Sequence, residues 1–177
     1  MLTRRTWLKT GLSGALLLAG AAALHRPLDR WAKRGLVAQA PLEGALRLVV
    51  PALLPVMLAG VLPADGPARQ AAIRGATDGV AAAVAALSAA AQQEVAELFA
   101  LLALAPTRIA VARLSSPWPQ ASEAEVQAFL DGWRHSSLGL LRSGYQALHD
   151  LVLGAWYADP AHWQAIGYTG PPEVPRP

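Results

Sequence analysis

The side chains with most chemistry to offer are four histidines, His25, His135, His149 and His162, and twelve carboxylates in a chain of 177 residues. Histidine is the usual proton carrier and metal ligand near neutral pH, but ligation needs spacing as well as residue type. The chain has no His-Glu-x-x-His and no Glu-x-x-His, so nothing places two ligands on one helix face. Glu94/Glu97 and Glu123/Glu125 form two carboxylate pairs. Both fall in first turns or on polar faces of expected helices, where a negative charge suits the helix dipole. Acid–base catalysis would instead need burial that drives two pKa values apart. Nucleophile elbow, P-loop and dinucleotide fingerprint are all missing. The lack of cysteine removes disulfides, thiolate metal sites and thiol catalysis together. The expectation is a chain with no catalytic, cofactor-binding or metal-binding residues of its own. A small enzyme with an unrecognised site is the rival, and a buried cluster of His135, His149 and Arg142 would be its first sign.

Aromatic residues offer more. Trp118, Trp133, Tyr145, Trp156, Tyr157, Trp163 and Tyr168 crowd the C-terminal third. Trp133 and Tyr145 lie on apolar helical stripes and are expected in the core. Trp118 stands between Pro117 and Pro119, and Trp163 to Tyr168 lead into Gly170-Pro171-Pro172. Trp, Tyr and Arg are the common anchors of protein interfaces. Trp118, Trp133, Arg134, Tyr157, Trp163 and Tyr168 are therefore the candidate partner contacts. A tail that packs on its own bundle would use many of the same residues, and both readings stand.

The elements that position these residues read as helices. The chain is 54% hydrophobic and 15% charged, against about a quarter charged in ordinary soluble domains. Alanine and leucine dominate and period-2 alternation is nearly absent, which predicts an all-α fold. Leu46 to Val61 is apolar but contains Pro51 and Pro55. It reads as a kinked or broken core segment, a bilayer span being the costlier alternative. Asp65 and Pro67 begin a helix over 67–87 whose buried face is Ile73, Val80, Val84 and Leu87, with Gly75 and Gly79 open to a close helix approach or merely tolerated. Ser88 caps a helix over 89–104 that Pro106 ends. Thr107 caps a short segment to Leu114, with Arg108 and Arg113 exposed. Ser122-Glu123-Ala124-Glu125 is a capping box. It opens a stretch whose apolar spacing predicts one long helix to Tyr157. Asp159-Pro160 restarts a short helix to Ile166. The sum is a single compact bundle of five or six helices with an extended C-terminal tail: leader 1–34, linker 35–45, helical domain 46–166 and tail 167–177.

Charge is distributed unevenly. Seven basic side chains against Asp29 alone give residues 1–34 a net +6, so the total of +3 leaves −3 for the rest. The pI near 9.8 belongs to the leader. A mildly acidic body with no Lys beyond residue 34 excludes a nucleic-acid partner. Within the leader, Thr3-Arg4-Arg5-Thr6-Trp7-Leu8-Lys9 precedes an apolar run from Gly11 to Leu24. Basic, then apolar, then small is the form of an export signal. The Arg4-Arg5 pair resembles a twin-arginine (Tat) signal. Ala21-Ala22-Ala23 offers a cleavage site; left uncut, the segment would tether the chain to the inner membrane.

Several segments together resemble one family. They are the twin-arginine leader, the cysteine-free helical body, Phe129-Leu130-Asp131-Gly132-Trp133-Arg134-His135-Ser136, and Trp156-Tyr157-Ala158-Asp159-Pro160 through Trp163, Ile166-Gly167-Tyr168 and Gly170-Pro171-Pro172. They look like the small subunit of membrane-associated FAD-dependent dehydrogenases, the gluconate 2-dehydrogenase subunit 3-like group. The resemblance covers the leader and residues 115–172. It implies a non-catalytic subunit that escorts a signal-less flavoprotein of the glucose-methanol-choline type through the Tat translocase to the periplasm. FAD would lie in that large subunit, and a cytochrome c subunit would take the electrons. Arg4 and Arg5 would be read by the translocase. The alternative expectation is a self-sufficient periplasmic binding or structural module, anchored by its N-terminal segment.

Overall fold

The computed structural model describes residues 42–170. The leader with Arg4 and Arg5, and the tail beyond Gly170, lie outside the described residues. Seven helices make up the described fold, one more than the upper expectation: α1 (Leu42–Met57), α2 (Gly66–Ala85), α3 (Ala89–Ala103), α4 (Ala105–Ala112), α5 (Glu123–Arg134), α6 (Gly139–Tyr157) and a closing 3-10 helix (Pro160–Ile166). The expected all-α architecture holds.

Helix α1 is the axis of the bundle. α2, α3, α5 and α6 all pack on it, α2 also meets α6, and α6 also meets α5. Glu43, Arg47 and Leu48 in its first turns face solvent, while beyond Arg47 its sequence is wholly apolar and Val49, Val50, Leu53 and Leu54 are enclosed by the other helices. It starts at Leu42, inside the expected linker, and runs unbroken through Pro51 and Pro55 to Met57. Two interior prolines cost about 3 kcal/mol each. Complete burial of Val49, Val50, Leu53 and Leu54 offsets this at about 1.5–3 kcal/mol apiece. Burial therefore overrides the break that local propensity predicts. No single helix among the described residues is long and apolar enough to cross a membrane.

Local signals set most other boundaries. Asp65 precedes α2 without a side-chain cap bond, and Pro67 supplies the preset φ of its first turn. At Ser88 the hydroxyl accepts from the Ala91 N–H. The Ser122–Glu125 box is complete: Ser122 Oγ accepts from the Glu125 N–H, and Glu125 Oε2 accepts from the Ser122 N–H at 2.9 Å. On α2, Val80 and Val84 are buried, whereas Leu87 lies beyond the helix end and is exposed. Gly75 and Gly79 prove simply tolerated. A Cβ on Gly79 would meet Ala155 at an ordinary 3.7 Å, and one on Gly75 would meet nothing.

Two further segments depart from expectation. The predicted long helix from 123 to 157 is two helices, because α5 ends at Arg134 and α6 begins at Gly139. In the link, Ser136 Oγ accepts from the Leu138 N–H and Leu138 is extended. The apolar spacing widens to five between Trp133 and Leu138, which marks the break. The second correction concerns Arg108. It is only 7% exposed, not a surface residue, and Thr107 lies within α4 instead of capping it.

Candidate functional site

Pro106 organises one wall of the site. It has no N–H to donate to the Leu102 carbonyl one turn back; the backbone turns extended at Leu104, two residues before it, and α4 leaves α3 at 79°. The indole of Trp118 takes the freed Leu102 carbonyl at 2.8 Å. Thr107 Oγ1 donates to the Leu101 carbonyl and so covers a further orphan of the α3 terminus; the Leu104 carbonyl, also near that hydroxyl, already accepts from the Arg108 N–H at 2.8 Å. Trp118 is thus spent on holding the bend, and at 1% exposure it offers nothing to a partner. That corrects its expected role as a partner contact.

Beyond the bend, α4 widens into a π-helix over Arg108–Ala112 and stops at Arg113, whose φ of 54° is left-handed. Such a conformation costs a non-glycine residue about 1–2 kcal/mol. Segments of π-helix recur at functional sites. Arg108 donates from Nη2 to the Ser115 carbonyl at 3.3 Å, while its buried Nε has no partner. Three costly features therefore share one short segment.

That segment faces the α5–α6 corner across an open cleft of about 610 Å³. Phe129 and Trp133 form its floor, Val111 and Leu141 its walls, and Arg113, Ser136, Ser137 and Leu138 its rim. The floor is rigid. Trp118 meets Phe129 edge-on at 5.6 Å, and Phe129 meets Trp133 edge-on at 4.8 Å. Trp133 Nε1 donates to the Val111 carbonyl at 3.1 Å, joining floor to wall. Its ring lies on Gly144 of α6, where a Cβ would come within 2.6 Å of Cζ3. Sequence reasoning missed Gly144; the signal was a glycine on the otherwise apolar stripe between Leu141 and Leu148. At the rim, Leu138 is 62% exposed. Glu125 also lines the cleft, but both its oxygens are engaged, by Ser116 Oγ, Ser122 Oγ and the Ser122 N–H. The Ser122 backbone N–H first, then the Ser116 and Ser122 hydroxyls, hold its carboxyl below the usual range.

The remaining candidate contacts sit elsewhere. Arg134 is exposed, with its guanidinium 5.9 Å from the Tyr145 ring centre. Tyr157 and Trp163 are half-buried and joined, because Trp163 Nε1 donates to the Tyr157 carbonyl at 2.8 Å. His162 stacks on Trp156 at 3.6 Å, with its Nδ1 2.7 Å from the Trp156 carbonyl. The closing 3-10 helix is therefore pinned back onto the end of α6, as a self-packing tail would be. Tyr168 meets Trp163 edge-on at 5.1 Å and stays 45% exposed beside Ile166. Trp133 is buried as floor, so of the six candidates Arg134, Tyr157, Trp163 and Tyr168 retain surface.

His135 and Arg142 are exposed and His149 is half-buried over Tyr145, so the three do not form a buried cluster. Among the described residues no three His, Asp or Glu side chains gather as a metal site. No protein-family profile, curated protein or solved structure matches the chain.

Proposed function

We propose that this chain is a non-catalytic small subunit that escorts an FAD-dependent dehydrogenase through the twin-arginine pathway and stabilises it in the periplasm, at the inner membrane. The observation that carries the reading is the pairing of Arg4-Arg5 and its apolar run with a body that has no cofactor motif. A folded-export signal on a chain without its own cofactor is useful when the cofactor rides in a partner. Exposed apolar side chains support it: Ile109, Leu138, Ile166 and Tyr168 all lie in the C-terminal half that carries the family resemblance or just before it. FAD belongs to the large subunit in this scheme, a cytochrome c subunit accepts electrons, and Arg134, Tyr157, Trp163 and Tyr168 contact the flavoprotein. Affinity-tagged chain from the periplasm, run on size exclusion, is expected to elute with an FAD-containing protein in fixed ratio. Elution as a flavin-free monomer would instead favour a self-sufficient periplasmic module anchored by its N-terminal segment.

A further inference from the structure

The closing 3-10 helix is built as a unit of its own and is held to the bundle by few contacts. At its start Asp159 Oδ1 accepts from the Ala161 N–H, and at its end the N–H groups of Gly167 and Tyr168 donate to the carbonyls of Gln164 and Trp163. Gly167 closes it in the left-handed region, at a φ of 70°. The edge-on contact of Trp163 with Tyr168 adds to this internal closure. Yet none of its seven residues is buried, and its main packing partner is α6. An α-helix leaves its last carbonyls without partners, and two ring N–H groups of the 3-10 helix take them here. His162 Nδ1 reaches the Trp156 carbonyl at 2.7 Å, and Trp163 Nε1 reaches the Tyr157 carbonyl at 2.8 Å. A carbonyl only accepts, so the His162 proton sits on Nδ1. The same imidazole lies flat on the Trp156 indole, 3.6 Å away and 7° from parallel. Beneath it Trp156 is 5% exposed, and its Nε1 has no partner. A buried donor left unpaired opposes the docked position, whereas water would satisfy that N–H and both carbonyls on release.

We propose that Pro160–Ile166 is a latch, which swings off the end of α6 as one piece while the rest of the bundle stays folded. Asp159, extended between the two helices, is the hinge. Segments with few buried contacts lie at the low-stability end of a structure, and the latch is one. Its own caps travel with it, so only the two ring bonds and the His162–Trp156 stack break, and Trp156 is uncovered. The inference goes beyond the subunit reading and stands without it. It bears on that reading in one respect. Tyr157 lies on α6, Trp163 on the latch and Tyr168 just beyond it, so these candidate contacts keep one arrangement only while the latch is docked.

The test is indole hydrogen exchange, read by NMR on the full chain carrying isotope-labelled tryptophan, each signal being assigned by replacing that tryptophan with phenylalanine. Trp118 and Trp133 donate to the Leu102 and Val111 carbonyls inside the bundle and report its opening. The indoles of Trp156 and Trp163 are expected to exchange within about threefold of each other, and both at least about tenfold faster than those of Trp118 and Trp133. His162→Ala removes the stack and one of the two ring bonds. It should speed Trp156 exchange about tenfold or more and leave Trp118 and Trp133 unchanged. The variant should fold, since His162 lies outside the buried core. If His162 served only to support the bundle, all four indoles would speed up together. Trp156 exchanging as slowly as Trp118 and Trp133, or apart from Trp163, would overturn the proposal. So would a His162→Ala variant that accelerates all four indoles alike or none of them. A chain that shows the expected exchange pattern but retains no flavoprotein would refute the subunit reading and leave the latch standing.

Discussion

Replacing Gly144 by alanine separates helix propensity from packing. In the middle of a helix, alanine is favoured over glycine by about 0.5–1 kcal/mol. At Gly144 the added methyl would lie 2.6 Å from Trp133 Cζ3 and 3.0 Å from Cε3. Trp133 has little room to retreat, since its indole is bonded to the Val111 carbonyl and its ring rests on Phe129. Overpacking of this kind costs about 1–3 kcal/mol. Gly154 lies on the same helix, and a Cβ there meets nothing within 4 Å. Gly154→Ala should therefore stabilise the chain by about 0.5–1 kcal/mol, and Gly144→Ala should be about 1–3 kcal/mol less stable than it. Urea unfolding of the parent and both variants gives the two values, with near-UV circular dichroism reporting the tryptophan environment. If the two alanine variants proved equally stable, Trp133 would not sit on α6 as described, and the cleft would lose its floor.

Three further outcomes follow from particular contacts. Trp118→Phe keeps most of the buried ring but strands the Leu102 carbonyl, and should cost about 1–3 kcal/mol in urea unfolding. Because the Glu125 carboxyl is held below its usual range, its stabilising effect is complete above the unfolded glutamate pKa and fades as pH falls through the lower folded value. Glu125→Gln should lose that acid-side dependence in thermal melts from neutral pH downward, and an unchanged melt profile would show the cap to be unimportant. Arg108→Met removes a buried guanidinium with an unpaired Nε, and should leave the isolated chain unchanged or more stable by about 1 kcal/mol; a marked loss of stability would show that Arg108 has a structural role.

The sequence made the helices legible where capping chemistry and apolar spacing agreed. Ser88, the Ser122–Glu125 box and Asp159 all mark real starts, since each side chain accepts a first-turn N–H. It misled where burial decides. Pro51 and Pro55 are local breakers, yet α1 passes through both because every neighbouring helix packs on it. The separation of α5 from α6 was visible only as a five-residue gap in the apolar stripe. Trp118 looked like a surface residue because its partner, the carbonyl freed by Pro106, is sixteen positions away in sequence. The cleft was legible only in part. Trp133 and the α5 stripe were recognised, whereas the left-handed Arg113 and the buried Arg108 depend on a π-helical turn that no periodicity signals.

The proposal that this chain carries a flavoprotein across the membrane turns on the Arg4-Arg5 pair. It is tested most directly by replacing Arg4 and Arg5 with lysine and measuring FAD-containing dehydrogenase in the periplasm. The flavoprotein should remain in the cytoplasm with the variant and reach the periplasm with the parent. Undiminished arrival of the flavoprotein in the periplasm without a functional Arg4-Arg5 pair would contradict it.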